Sequence, residues 1–225
     1  MSRVARELQA ILAEAVACAV RWRVPLAVAV SLAAVATLFL MPRDAELLAA
    51  VQSAGADWHD FAITVSEIGR FENSSLAFAV IAAAIALLAR SSQWRDLAVA
   101  CLVAGIVAGL AVNVLRPSFG RARPHADVEA GFYWFELEAQ LHSMPSGHVM
   151  SNSASAFALV PLVPPLLVPA VAYTGAMAWS RMQLNRHYPS DVMWGALLGA
   201  TVGLAVGTSI RDRRRRVQSR SNERS

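Results

Sequence analysis

Residues 180–191 read Ser-Arg-Met-Gln-Leu-Asn-Arg-His-Tyr-Pro-Ser-Asp and separate two apolar runs with two arginines, a histidine and an aspartate. Charged side chains at the edge of an apolar span are costly and tend to mark function. His187 and Asp191 are four residues apart, and Pro189 suits the first turn of a helix beginning there. Asp191 would then reach back to one ring nitrogen of His187 and hold the other toward a substrate, an arrangement of nucleophile and orienter. The same residues also fit an interfacial role, with Arg181 and Arg186 as anchors and Asp191 as a capping carboxylate.

The sequence around this stretch is that of a membrane protein. The chain has 225 residues, 56% hydrophobic and 16% charged, and its apolar runs are too long and uncharged for a soluble fold. All 20 basic residues are arginine, which points to a GC-rich coding bias rather than to chemistry. Cys18 and Cys101 show no metal-ligand or redox spacing and read as helix-packing residues. The first strong apolar run follows a long amphipathic stretch without a cleavage site, so it reads as an anchor that stays.

The expected fold is all-α, a polytopic helical bundle of about six transmembrane helices. Residues 1–24 form a basic amphipathic segment on the cytoplasmic surface. The six-span membrane domain covers 25–210, with spans expected at 25–41, 76–89, 97–115, 148–163, 166–179 and 192–210. Residues 42–75 read as an interfacial loop of amphipathic helices, with Trp58 at headgroup level. Residues 116–146 form a polar insertion, and 211–225 a basic tail. Gly195, Gly199, Gly203 and Gly207 recur every fourth residue, a small-residue stripe that permits close helix packing.

With six spans both termini share a side, which collects thirteen arginines against seven opposite. The termini are therefore expected to be cytoplasmic, by the excess of arginine on that side. The Arg211–Arg216 cluster fits such a flank better than a nucleic-acid patch, so no nucleic-acid partner is expected. The same parity places three polar stretches on one, extracytoplasmic, membrane face.

The first of these, Arg116-Pro-Ser-Phe-Gly-Arg-Ala-Arg-Pro124, offers arginine forks in a stiff turn that match paired phosphate oxygens. Interfacial snorkelling is the alternative. The second, Pro145-Ser-Gly-His148, opens a helix and exposes backbone N–H groups at its positive end, with His148 beside them as a proton donor. Its plainer reading makes Ser146 an N-cap and His148 interfacial. The third is the opening stretch. Together they suit an anionic phosphoryl group. No cluster of carboxylates or cysteines has metal-ligand spacing, and His59 with Asp60, His125, Asp127 and His142 read as loop or rim residues.

The ordered triple resembles the type 2 phosphatidic acid phosphatase superfamily, which includes vanadium haloperoxidases and bacterial acid phosphatases. Its pattern is a basic residue, six residues and Arg-Pro, then Pro-Ser-Gly-His, then Ser-Arg, five residues, His, three residues and Asp. Arg116 with Arg123-Pro124, Pro145 to His148, and Ser180-Arg181 with His187 and Asp191 match in order. Arg116 stands where the family usually has lysine, a change that keeps charge but widens the fork. The resemblance implies a core like that of the acid phosphatases and haloperoxidases, on the membrane lipid-phosphate branch. It implies His187 as nucleophile forming a phosphohistidine, Asp191 holding its tautomer, and His148 as acid and then base. Arg116, Arg123, Arg181, Ser146 and Gly147 would hold the phosphoryl oxygens, with no cofactor and no metal.

The implied function is hydrolysis of a lipid phosphate or diphosphate at the outer face of a bacterial inner membrane. Undecaprenyl diphosphate, phosphatidylglycerol phosphate, phosphatidic acid and lipid A 1-phosphate all fit. Specificity is expected in 42–75 and in 125–143, where Phe132, Tyr133, Trp134 and Phe135 either grip the lipid or form an interfacial belt. A phosphotransferase using the same site is the alternative. A transporter or scaffold would place polar groups along a path, whereas here they gather at one face. The partners are the lipid substrate and the bilayer; oligomeric state stays open.

Overall fold

The structure is a computed structural model that describes residues 3–70 and 72–222. Side chains of residues 3–19 lie outside the described residues, and with them the packing role expected of Cys18 and the charges of Arg3 and Arg6. Eight α-helices account for most of the described residues: α1 Arg3–Leu40, α2 Asp44–Ala54, α3 His59–Ile68, α4 Ala77–Leu88, α5 Ser92–Phe119, α6 Gly147–Leu159, α7 Leu167–Gln183 and α8 Pro189–Asn222. Among the described residues there is no strand, only an isolated bridge between Arg121 and Phe132. Large apolar side chains such as Leu38, Phe39, Leu87, Leu88 and Leu110 face outward, as a bundle surrounded by hydrocarbon requires.

Among the described residues, three stretches can cross a membrane by length and composition: Val20–Ala54, Ser92–Phe119 and Pro189–Arg216. The basic N-terminal segment and the first apolar run form one continuous helix, with Pro25 inside it. The expected second span is shorter than its sequence suggested. A π-helical turn at Glu72–Leu76 precedes α4, whose 12 residues extend only about 18 Å. Residue pairs join the π-turn to the bundle here: Ser75 Oγ donates to Ser155 Oγ at 2.8 Å and Ser74 Oγ to Asn152 Oδ1 at 2.9 Å. The basic tail continues α8 without a break through Arg211–Arg216. At this far end Arg21 of α1 pairs with Asp212 at 2.6 Å.

α6 and α8 form the tightest helix pair, and glycine is the reason. A Cβ on Gly195 would fall 2.7 Å from the Ser146 carbonyl oxygen. Those on Gly199, Gly203 and Gly207 would collide with the carbonyls of Met150, Ala154 and Ala158. Each glycine thus receives one carbonyl of α6, four residues apart on both helices. Close approach of this kind is what small-residue stripes allow in membranes. On its other side α6 packs on α5 through Ala100, Ala104, Ala108, Val112, Met150, Ala154 and Ala158, all buried. Ser153 Oγ donates to the Ala196 carbonyl of α8 at 2.9 Å, so this polar residue of α6 joins two helices.

Gly199→Val should therefore lower stability by about 1–3 kcal/mol through overpacking and displace the two ends of the site. Gly175, where an added Cβ meets nothing within 4 Å, is the control. Thermal unfolding in detergent should show a lower midpoint for Gly199→Val and none of that loss for Gly175→Ala.

Candidate active site

Four helix ends converge: the C-terminal ends of α5 and α7 and the N-terminal ends of α6 and α8. Gly120, in the left-handed region at φ 56°, ends α5 by donating its N–H to the Arg116 carbonyl at 2.9 Å. Backbone bonds then lace the loops together, with Ser143 N–H to Arg121 O and Ser146 N–H to Asp191 O, both at 3.0 Å. The three polar stretches that parity brought to one face are in direct contact.

Arg116 donates from Nε to the Pro145 carbonyl at 3.0 Å and lies against the start of α6. A Cβ on Gly147 would sit 2.5 Å from its Nη2, so glycine lets the guanidinium reach the exposed N–H groups of that helix. Arg181, in the last turn of α7, donates to Ser66 Oγ of α3 at 2.6 Å. Ser146 occupies the N-cap position, yet its side chain makes no capping bond, unlike the plainer alternative drawn from sequence. Arg116, Gly147, His148 and Arg181 line a cavity of about 750 Å³, together with His59, Glu67 and Arg70. Buried polar atoms are ordinarily paired. Among the described residues, His187 Nε2, Ser146 Oγ, Arg123 Nε and Arg181 Nε are buried without a partner.

His187 is fully buried, and its Nδ1 lies 2.8 Å from the Ser143 carbonyl. A carbonyl only accepts, so Nδ1 carries the proton and Nε2 of the neutral ring keeps its lone pair. Burial, and then the positive charges of Arg116, Arg123 and Arg181, push the His187 pKa well below the ordinary histidine value; the bond to Ser143 acts the other way.

Here the expected direct contact with Asp191 is corrected. Asp191 Oδ2 is 3.9 Å from Nδ1, too far for a hydrogen bond. His187 precedes α8, which begins at Pro189, so the four-residue spacing is not helical. The carboxylate is also already engaged: Oδ2 accepts from Ser143 Oγ at 2.5 Å and from Tyr188 N–H at 2.9 Å, and Oδ1 from Arg121. Asp191 holds Ser143, and Ser143 holds the imidazole.

Arg121 is likewise not a phosphate ligand. It is buried between Asp191 and Asp44, 2.6 Å from the latter, and its guanidinium lies 4.6 Å above the Tyr188 ring. Asp44 also accepts from Ser190 N–H at 3.0 Å, tying the start of α2 to the start of α8. Ser143, Asp44, Ser66 and Asn152 had no sequence signal, because each acts through a contact remote in the chain. Asn152 donates to the Gly69 carbonyl at 2.6 Å and to the His148 carbonyl at 2.7 Å.

Among the regions expected to set specificity, 42–75 contributes cavity residues through α3 and 125–143 contributes none. Trp134 stacks on Phe132, Phe135 is 82% exposed, and none of the four aromatics at 132–135 lines the cavity. Arg186 is exposed at the cavity rim beside His125.

Residues 94–215, which contain all three motifs, match the PAP2 superfamily. The chain belongs to the PAP2 superfamily. Decaprenylphosphoryl-5-phosphoribose phosphatase of Mycobacterium tuberculosis is 35% identical over 181 residues, spanning 77% of this PAP2 chain and 94% of the relative. A lipid A 1-phosphatase of Rhizobium johnstonii is 32% identical over 102 residues, 44% of this chain and 42% of that protein. The fold matches the crystal structure of the transmembrane PAP2-type phosphatidylglycerolphosphate phosphatase from Bacillus subtilis with a TM-score of 0.62. That match covers 86% of this chain and 96% of the other at 18% identity. This PAP2 protein is a phosphatase, and its apolar helices make it a multi-pass membrane protein.

In the substrate-free protein, the His187 imidazole should stay neutral at pH 6, where an ordinary histidine with a pKa of about 6.5 is mostly protonated. Nitrogen-15 NMR of histidine-labelled protein, assigned with His187→Asn, checks this. A His187 resonance titrating near 6.5 would contradict the burial and charge described.

Proposed function

We propose that this PAP2 phosphatase removes phosphate from a lipid-linked phosphate at the extracytoplasmic face of the membrane through a phosphohistidine at His187. The observation that carries this reading is the His187 ring: neutral, with its Nδ1 proton on Ser143 and its Nε2 lone pair unpartnered in the field of three arginines. His187 Nε2 attacks phosphorus, and His148 gives a proton to the departing lipid oxygen. Water, deprotonated by His148, then displaces the phosphate from His187. Arg116, Arg123 and Arg181, with Ser146 and the amide of Gly147, carry the charge on the equatorial oxygens, a role in which each donor supplies a few kcal/mol. Asp191 keeps Ser143, and through it His187, in place. All of these groups come from the chain, and the proposed chemistry uses no metal.

The relatives act on phosphates attached to large lipids, one of them on a phosphosugar carried by a prenyl chain, which supports a lipid substrate here. The excess of arginine at the two terminal segments supports the orientation. The test is a phosphate-release panel over undecaprenyl diphosphate, phosphatidylglycerol phosphate, phosphatidic acid, lipid A 1-phosphate and a prenylphosphoryl phosphoribose, in EDTA. Release from at least one, with a loss of 10³-fold or more in His187→Ala and 10²-fold or more in His148→Ala, is expected, since acid–base groups alone supply about 10²–10⁴. Full activity in His187→Ala or dependence on a divalent metal would overturn the mechanism. Phosphate appearing on an acceptor lipid would make the enzyme a phosphotransferase.

A further inference from the structure

The cavity is much larger than the group it is proposed to hold. Five heavy atoms of a phosphoryl group fill at most about 150 Å³ at the volume of a water apiece, against about 750 Å³ here. Its lining divides into two walls. Arg116, Gly147, His148 and Arg181 form the phosphate wall. Gly109 and Asn113 of α5 and Ser151 of α6 lie farther along the same two helices, and His59 and Glu67 of α3, with Arg70 just beyond it, add to the lining.

Asn113 is the anomaly among them. Between Leu97 and Leu115 every other side chain of α5 is apolar or a small residue, apart from the cysteine at 101. A carboxamide turned into hydrocarbon without partners is costly, so its position in the cavity lining is the place where it can be tolerated. Two features widen the polarity there. Pro117, four residues on, has no N–H to give the Asn113 carbonyl. Gly109, one turn below, keeps the floor open, since an added Cβ would meet only Ser151 Oγ at 3.7 Å. Gly109, Asn113 and Arg116 share one helix face, and Asn113 lies about 4.5 Å below Arg116 along the axis. A group covalently attached to a phosphate on Arg116 and extending into the membrane arrives at Asn113.

We propose that Asn113 and Ser151 form a subsite for a hydroxyl-bearing linker, a sugar or a glycerol, joined directly to the phosphate that is removed. Carboxamide and hydroxyl both donate and accept, which suits alcohol groups and gives little to a bare hydrocarbon ester. The inference rests on the lipid-phosphate reading above. It narrows that reading to lipids whose leaving group carries free hydroxyls next to the phosphate.

The experiment compares phosphate release from phosphatidylglycerol phosphate and a prenylphosphoryl phosphoribose, which carry such hydroxyls, with release from phosphatidic acid and undecaprenyl phosphate, which do not. Wild type should prefer one of the hydroxylated pair. Asn113→Leu should raise KM for that substrate about tenfold, Ser151→Ala several-fold, and neither should move KM for phosphatidic acid or undecaprenyl phosphate by twofold. Asn113→Gln should recover part of the preference. Equal losses on both classes, no loss on either, or a wild-type preference for the unhydroxylated lipids would overturn the subsite. Absence of release from all four, and from undecaprenyl diphosphate and lipid A 1-phosphate as well, with wild-type thermal stability intact, would instead overturn the lipid-phosphate reading itself.

Discussion

Backbone contact between α6 and α8 is the constraint on which the rest of the structure depends. Four glycines accept four carbonyls along one stripe, and no other residue type could hold the helices so close. One end of this pair brings Ser146 N–H onto the Asp191 carbonyl. The helix start that offers amides to an anion and the helix start that follows His187 are thereby fixed to one another before any side chain is placed. Association of helices in hydrocarbon lacks a hydrophobic drive, so packing of this quality has to supply it.

Charge is organised in two layers around this frame. One layer is self-contained: Arg121 sits between Asp44 and Asp191, with Ser190 and Ser143 completing the hydrogen bonds. Removing one partner of such a buried set generally costs about 3–5 kcal/mol, because the others are left uncompensated. The other layer is mostly cationic: Arg116, Arg123 and Arg181 act together on His187, and Glu67 of α3 lines the same cavity. The first layer ties the helix starts together, and the second suits the multiply charged anion of the proposed reaction. Preorganised positive groups in a dry site are the means by which phosphoryl transfer is commonly promoted.

Much of this was legible in the sequence, and for physical reasons. The glycine stripe has a period that only a helix can use. Arg116, Arg123, Pro145 to His148, Arg181 and His187 sit at helix ends or in the loops between them, where the expected six spans would put them on one face. What sequence could not supply were contacts between distant segments. Asp191 looked like the direct partner of His187 because the two are four residues apart, yet Pro189 starts the helix between them and the Ser143 carbonyl takes the ring nitrogen. Asp44 carried no signal in the sequence, and Arg121 read as one of the arginine forks of its stretch; only the fold shows that they pair. The aromatic run at 132–135 has a composition equally suited to gripping a lipid and to facing outward, so its direction was undecidable from the chain. Span lengths were blurred where the π-turn at Glu72–Leu76 replaces regular helix.

The central claim is that His187 is the atom-bearing partner of the transferred phosphate. Rapid acid-free quenching of the enzyme with a phosphorus-32-labelled lipid phosphate, followed by peptide mapping, tests it most directly. The expected result is a base-stable, acid-labile phosphohistidine on the peptide containing His187 in the wild type, missing from His187→Ala. Label on another residue, or turnover with no phosphoenzyme in the wild type, would contradict it.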